Sequence, residues 1–237
     1  MVEMIIVKIA KDGELKHELL KYLSFERRIR INNYLQTADK KRSLITELLI
    51  RRITCEKLDI PIEKIKISYN PYGKPYIDNI RHYKFNISHS ENFVVMAVGK
   101  SKLGVDIEKM KQCDMSVGKK FFTSSEYNYI ISQKNEQDRI EAFYTIWTLK
   151  ESYVKAIGKG LGIPFNTFEF VIGREIILRK PKGGKKYQFM NRKIDDYMLS
   201  LCFMETDVNY QYVIMDESEL YKSYEKREIS ERNVKRY

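Results

Sequence analysis

The chain has 237 residues, 43% apolar and 12% aromatic with 17 Tyr, enough to bury a sizeable core and too apolar for a disordered chain. Its 43 Lys and Arg outnumber 32 Asp and Glu and leave a formal charge of +11. That field attracts an acidic partner, whether nucleic acid, anionic lipid, a polyphosphate cofactor or an acidic protein, and does not choose among them.

Three scattered cysteines, Cys55, Cys113 and Cys202, form no C-x-x-C pair. Zinc and disulfide-framework readings fail, and a reducing compartment fits. Apolar runs such as 94–98 are too short to span a bilayer, and the N-terminus lacks the basic-then-apolar layout of a signal peptide. The expectation is a cytoplasmic protein with no membrane partner.

In chain order, residues 4–9 read as a strand, 16–35 as a charged amphipathic helix and 38–58 as a second helix with Leu44, Ile45, Leu48, Leu49 and Ile53 at helical spacing. Residues 65–69 read as a strand, followed by the turn-rich Asn70-Pro71-Tyr72-Gly73-Lys74-Pro75. Strands at 85–87 and 93–98 flank a polar turn, Ser88-His89-Ser90. A strand at 104–108, helices at 125–132 and 139–157, and strands at 168–172, 176–179 and 197–203 complete the pattern. Short strands mixed with long helices predict α+β.

Internal symmetry supports two similar halves. Leu58-Asp59-Ile60-Pro61 is echoed by Leu161-Gly162-Ile163-Pro164, each after a long helix and before a strand. The polar-then-apolar segments 92–98 and 196–202 repeat at nearly the same offset. The expected division is 1–103, 104–220 and a charged tail, 221–237, with a ligand cleft between the halves. The segment from Asp216 onward, dense in Lys, Arg, Glu and Ser, reads as a solvated helix or a frayed end.

Two segments place carboxylates where they are costly. On a strand, Asp106 and Glu108 share one face, about 7 Å apart, while Leu103, Val105 and Ile107 share the other. Such a pair needs a cation or a proton unless it faces solvent. On the helix 139–157, Ile140, Phe143, Tyr144, Trp147 and Val154 form an apolar arc, and Glu151 falls near its centre. Lys155, one turn on, offers an intrahelical partner. Three acidic oxygen donors suit a hard divalent cation such as Mg²⁺. Ser88 and His89 suit phosphate, as do Arg27, Arg28, Arg30, Lys40, Lys41 and Arg42, although each basic side chain alone reads equally well as a solvated helix face. No P-loop or dinucleotide fingerprint is present.

These residues resemble the 4′-phosphopantetheinyl transferases, in particular the larger, pseudo-dimeric, surfactin-synthetase-activating type. The resemblance rests on Gly104-Val105-Asp106-Ile107-Glu108 and the run from Trp147 to Ala156 containing Lys150-Glu151-Ser152. Tyr72-Gly73-Lys74-Pro75, Phe85-Asn86-Ile87-Ser88-His89-Ser90, the run from Lys119 to Tyr127 and Gly158-Lys159-Gly160-Leu161 support it. It spans about Ser24 to Leu220.

The resemblance implies coenzyme A bound between two α/β halves and a Mg²⁺-dependent transfer of its phosphopantetheine arm to a carrier-protein serine, with adenosine 3′,5′-bisphosphate leaving. By position, Asp106, Glu108 and Glu151 match the metal-binding acids, and Glu151 also matches the general base. Lys155 would stabilise pyrophosphate and leaving-group charge; Lys150 offers a further phosphate contact, but its helix position points elsewhere, which leaves its role open. The coenzyme A positions are Arg27, Arg30, Arg42, Ser43, Lys74, Ser88 and His89, together with Asp106 and Lys155. Two positions depart from the pattern. Arg27 and Arg30 stand where relatives often carry Lys, and Lys41 stands where His is frequent.

Glu126 matches a family acid, yet Thr123-Ser124-Ser125-Glu126 also spells a helix capping box. The implied partner is an acidic acyl or peptidyl carrier protein docking on residues 110–122, with the enzyme a monomer and nucleic acid not a partner. A basic nucleic-acid-binding protein and a coenzyme A-binding relative without catalysis stand as alternatives.

Overall fold

Val2, Met4 and Ile6 are buried on one face of the first strand, and Ile5 and Val7 on the other. A strand apolar on both faces has to lie between two covering layers. The computed structural model describes residues 1–179, 186–204 and 209–234; at residue 161 and over 227–234 it describes the backbone alone.

The elements run β1 (Val2–Lys8), α1 (Phe25–Asn32), α2 (Thr37–Leu58), β2 (Ile67–Tyr69), β3 (Pro75–Ile77), β4 (Lys84–Ser90) and β5 (Phe93–Gly99). Then follow β6 (Leu103–Lys109), α3 (Ser116–Phe121), α4 (Ser124–Ile131), α5 (Glu136–Ile157), β7 (Glu169–Ile172), β8 (Ile176–Arg179), β9 (Tyr187–Ile194), β10 (Tyr197–Met204), β11 (Tyr210–Asp216) and α6 (Glu217–Val234).

One sheet has the order β11-β1-β5-β4 and another β6-β10-β9, with β2–β3 and β7–β8 as separate antiparallel hairpins. The motif β1-β5-β4 and its copy β6-β10-β9 are antiparallel throughout. In each half a 22-residue helix, α2 or α5, precedes the hairpin. The expected α+β duplication is therefore present.

Leu44, Leu48 and Leu49 of α2 bury the face of β1 and β5 that carries Ile5, Val7, Val94 and Met96. The opposite faces of the two sheets meet through Val2, Met4, Ile6 and Val95 against Val105, Ile107, Leu199 and Leu201. Helix α5 covers the second sheet from outside. The layers run helix, sheet, sheet, helix.

The sheets also meet edge to edge. Asn86 Oδ1 accepts from Val105 N at 2.9 Å, Ser88 Oγ from Ile107 N at 3.4 Å and Ser90 Oγ from Lys109 N at 3.0 Å. Three alternate polar side chains of β4 thus satisfy the N–H groups on the edge of β6. This corrects the reading of Ser88-His89-Ser90 as a turn. They belong to β4, and the reversal comes after them, at Glu91 with φ 39°.

Other expectations change as well. The helix expected over 16–35 is a 3-10 turn at His17–Tyr22 and then α1, because Ser24 sits in extended backbone and accepts from Arg27 N to start a new helix. The sequence reading lacked β3, α3, β9 and β11. Strand β11 returns to the first sheet and pairs in parallel with β1. The segment after Asp216 is not a solvated tail at its start. Leu220, Tyr221 and Tyr224 are buried against α2, and Tyr224 Oη donates to Leu48 O at 2.7 Å. Residues 235–237 of that segment lie outside the described residues. No helix among the described residues is long and apolar enough to cross a membrane.

Candidate active site

Where β4 meets β6 and α5, a cavity of about 760 Å³ opens between the halves. Gly104 brings its wall together. A Cβ there would lie 2.1 Å from Ser152 O and 2.4 Å from Ala156 N, so only glycine lets β6 press against the backbone of α5. That contact sets Asp106, two residues on and on the same face, opposite Lys155.

Asp106 is buried, and its Oδ1 accepts from Ser88 Oγ at 2.9 Å and from Lys155 Nζ at 2.6 Å. Lys155 Nζ also donates to Ser88 Oγ at 3.0 Å. The expected intrahelical bridge from Lys155 to Glu151 gives way to this pairing across the seam. Burial raises the Glu151 carboxyl above its usual range, Asp106 raises it further and Lys155 opposes. Glu108 accepts from Ser90 Oγ at 3.1 Å. Burial, then the charge of Asp106, push its pKa to about 7, with Ser90 and Lys155 pulling down and Glu151 adding to the rise.

The apolar arc of α5 is not centred on Glu151. Ile146, Leu149 and Tyr153 belong to the buried apolar cluster, while Thr148, Ser152 and Ala156 face the sheet. Trp147, Glu151 and Lys155, at i, i+4 and i+8, form the strip left to the cavity.

The three acids offer hard oxygen donors, and one of them, Asp106 Oδ2, is buried with no hydrogen-bond partner among the described residues. As the side chains lie, however, no three His, Cys, Asp or Glu among the described residues are grouped closely enough to hold a metal ion. The chemistry fits a divalent cation, but the ligand set is not assembled.

The cavity also receives Arg27, Arg30, Lys74, Ser88 and His89. Lys74 turns its ammonium to Leu103 O at 3.0 Å and Lys155 O at 2.6 Å, and burial lowers its pKa to about 8. It ties the β2–β3 hairpin to the end of α5. The end of that helix is capped by Gly158, at φ +80°, whose carbonyl accepts from Asn70 Nδ2 at 3.0 Å. His89 has its pKa lowered by burial, then by the charges of Arg42 and Lys155.

Two expected ligand residues do not line the cavity. Arg42 donates to Glu91 O at 2.7 Å and pairs with Asp39, and Ser43 is buried in α2. Sequence reasoning missed Thr46, Ile50, Tyr69 and Asn86, which do line it. The helical step from Ser43 through Thr46 to Ile50, and the alternation of Asn86 with Ser88, carried the signal.

Three further residues, Glu126, Lys150 and Lys41, do not line the cavity and have partners elsewhere. Glu126 is buried in the capping box with Thr123, accepts from Phe170 N at 2.8 Å and pairs with Lys150 at 2.8 Å. Lys150 donates to Phe165 O and Phe168 O, both at 2.7 Å, and so cannot reach a phosphate in the cavity. Lys41 pairs with Glu217 at 2.8 Å and donates to Ala10 O at 3.0 Å, anchoring the start of α6.

Residues 102–202 match the 4′-phosphopantetheinyl transferase superfamily, and residues 13–101 match the N-terminal unit described for 4′-phosphopantetheinyl transferase. The transferase gsp of Aneurinibacillus migulanus is 40% identical over 170 residues, covering 71% of this chain and 70% of that one. The chain belongs to the 4′-phosphopantetheinyl transferase superfamily. It is a transferase of the Sfp type. The 4′-phosphopantetheinyl transferase Sfp of Bacillus subtilis strain 168 is 27% identical over 210 residues, 87% of this chain and 93% of that one. The transferase ffp of Bacillus subtilis is 34% identical over 169 residues, 70% and 75% of the two chains. Among solved structures, a holo-(acyl-carrier-protein) synthase from Bacillus anthracis in complex with CoA (3′,5′-ADP) covers 44% of this chain and 94% of its own, at 18% identity and a TM-score of 0.38.

Proposed function

We propose that this transferase moves the 4′-phosphopantetheine arm of coenzyme A onto a serine of an apo acyl or peptidyl carrier protein and releases adenosine 3′,5′-bisphosphate. The observation that supports this reading is the convergence of Asp106, Glu108, Glu151 and Lys155 with Arg27 and Arg30 in one cavity between the halves. A substrate carrying a pyrophosphate and a third phosphate matches a cavity with cations and acids together.

In this reading the serine oxygen bonds to the β-phosphorus of the pyrophosphate while its proton passes to Glu151. The phosphorus–oxygen bond on the adenosine side breaks, and the leaving phosphate keeps the electron pair. A carboxyl whose pKa is raised by burial is a stronger proton acceptor than an exposed one. Lys155, aimed by Asp106 and Ser88, faces the charge that develops on the leaving group. A Mg²⁺ ion held by Asp106, Glu108 and Glu151 would supply charge neutralisation at the phosphate oxygens.

The carrier would dock on residues 110–122, where α3 presents Lys119 and Lys120 beside Phe121, which is 43% exposed. A net charge of +11 favours encounter with an acidic partner. One chain supplies both walls of the cavity, which supports a monomer as the working unit.

Intact-mass spectrometry of apo carrier proteins, incubated with the enzyme, Mg²⁺ and coenzyme A, tests the reading. The expected result is a mass gain of one phosphopantetheine arm, abolished by EDTA. With Glu151→Gln in the same assay, the rate falls on the order of 10²-fold or more. Coenzyme A binding without a mass gain on any carrier would favour a relative without catalysis, and a normal rate in Glu151→Gln would remove that residue from the chemistry.

A further inference from the structure

The two halves place a buried charge cluster at the same point of their fold. Residues 51 and 150, and residues 27 and 126, are related by the step of 99 that separates the starts of α2 and α5, 37 and 136. Arg51 donates to Ile62 O at 3.3 Å and Ile65 O at 3.1 Å, as Lys150 does to Phe165 O and Phe168 O. Each buried cation thus ties its long helix to the first carbonyl of the 3-10 turn before the hairpin and to that of the residue just after the turn.

The charge at the other position is inverted. In the second half it is Glu126, which neutralises Lys150 with neither side chain exposed. In the first half it is Arg27, a second cation. The only acid in that cluster among the described residues is Glu47, one turn before Arg51 on α2. Its Oε1 accepts from Arg51 Nε at 3.1 Å, and its Oε2 lies 3.3 Å from Arg27 Nε. Two guanidiniums share one carboxylate, and the surplus positive charge sits on Arg27, which borders both the active-site cavity and a neighbouring one of about 700 Å³. Its Nε is buried without a hydrogen bond of proper geometry among the described residues. A surplus, partly buried cation at a cavity wall is favourably completed by an anion.

We infer that Glu47 is a positioning residue, anchored by Arg51, that aims Arg27 at the 3′-phosphate of coenzyme A. The inference rests on the coenzyme A reading above. The pyrophosphate carries the bond that breaks and belongs beside Lys155 and Asp106. The remaining phosphate, on the ribose, is then left for the cations of α1. Glu47 forms its ion pair with Arg27 on the Nε side, 3.3 Å away, which leaves the terminal fork to a phosphate.

The test is calorimetric titration of the full chain with coenzyme A and with dephospho-coenzyme A, which differ only in the 3′-phosphate. Wild type should prefer coenzyme A by about tenfold or more. Glu47→Gln should lower that ratio by about threefold or more while changing the affinity for dephospho-coenzyme A less than about twofold. A merely structural role would weaken both ligands alike and leave the ratio intact, which would overturn the inference. Should Glu47→Gln not fold, Glu47→Asp keeps the charge on a stem too short to bridge both arginines, and the same ratio decides. If Arg27→Met abolishes the preference while both Glu47 variants keep it, the inference fails and the coenzyme A reading stands. If wild type shows no preference, or Arg27→Met retains it, the phosphate reading of Arg27 fails and the inference with it.

Discussion

Asp106 divides its two oxygens between tasks. Oδ1 gathers Ser88 and Lys155, while Oδ2 is buried without a hydrogen bond among the described residues. Glu108, on the same face, has its pKa pushed to about 7 from an ordinary 4.5, first by its own burial and then by the charge of Asp106. The folded chain therefore keeps a proton that the unfolded chain gives up between those values. The stability this contributes is fully present below the unfolded pKa and is lost as pH rises through about 7. Thermal melts without divalent cations should show wild type losing more stability between pH 5 and 8 than Glu108→Gln, which cannot titrate. Parallel pH profiles for the two proteins would refute the assignment.

Among the elements, the contact of β6 with α5 carries the site, and Gly104 decides how close they come. In Gly104→Ala the added methyl meets backbone atoms on α5, which cannot swing aside like a side-chain tip. Urea unfolding should show a loss of about 1–3 kcal/mol, as for overpacked interiors. Transfer activity should fall further than stability alone accounts for, because the strand that moves bears Asp106. Unchanged stability would mean that β6 and α5 have more room than their geometry indicates. The turn Asn70-Pro71-Tyr72-Gly73 works from the opposite side, closing on a 2.9 Å bond from Gly73 N to Asn70 O and presenting Lys74 and Asn70 to the end of α5.

At the scale of the molecule, a single chain builds both walls of a cavity and carries +11 overall. If docking on α3 is electrostatic, Lys119→Glu with Lys120→Glu should raise the KM for the carrier by about tenfold at low salt and leave the KM for coenzyme A unchanged. The defect should shrink as salt screens the surface, with a Debye length of about 8 Å at physiological ionic strength. Steady-state kinetics with each substrate varied in turn checks this, and an equal rise in both constants would place the effect elsewhere.

Phase along an element was legible in the residues. Strand alternation put Asp106 and Glu108 on one face, helical spacing put Lys155 one turn from Glu151 although it misplaced the centre of the apolar arc, and the Thr123–Glu126 spacing announced a capping box that forms. The repeated helix-to-strand pattern also exposed the duplication, because both halves bury their long helix on the same antiparallel arrangement. Such features depend on periods of a few residues, which the local chain conformation sets by itself. What lies opposite each element depends on how apolar faces stack across the whole chain. Only that packing chose Asp106 rather than Glu151 as the partner of Lys155. It also turned Asn86, Ser88 and Ser90 into the seam between the sheets, brought β11 back beside β1, and buried Tyr224 in a segment whose charge spoke for solvent. Ion pairs and edge contacts between residues far apart in sequence have no period to betray them, so they emerge when two sheets and two helices close on a common core.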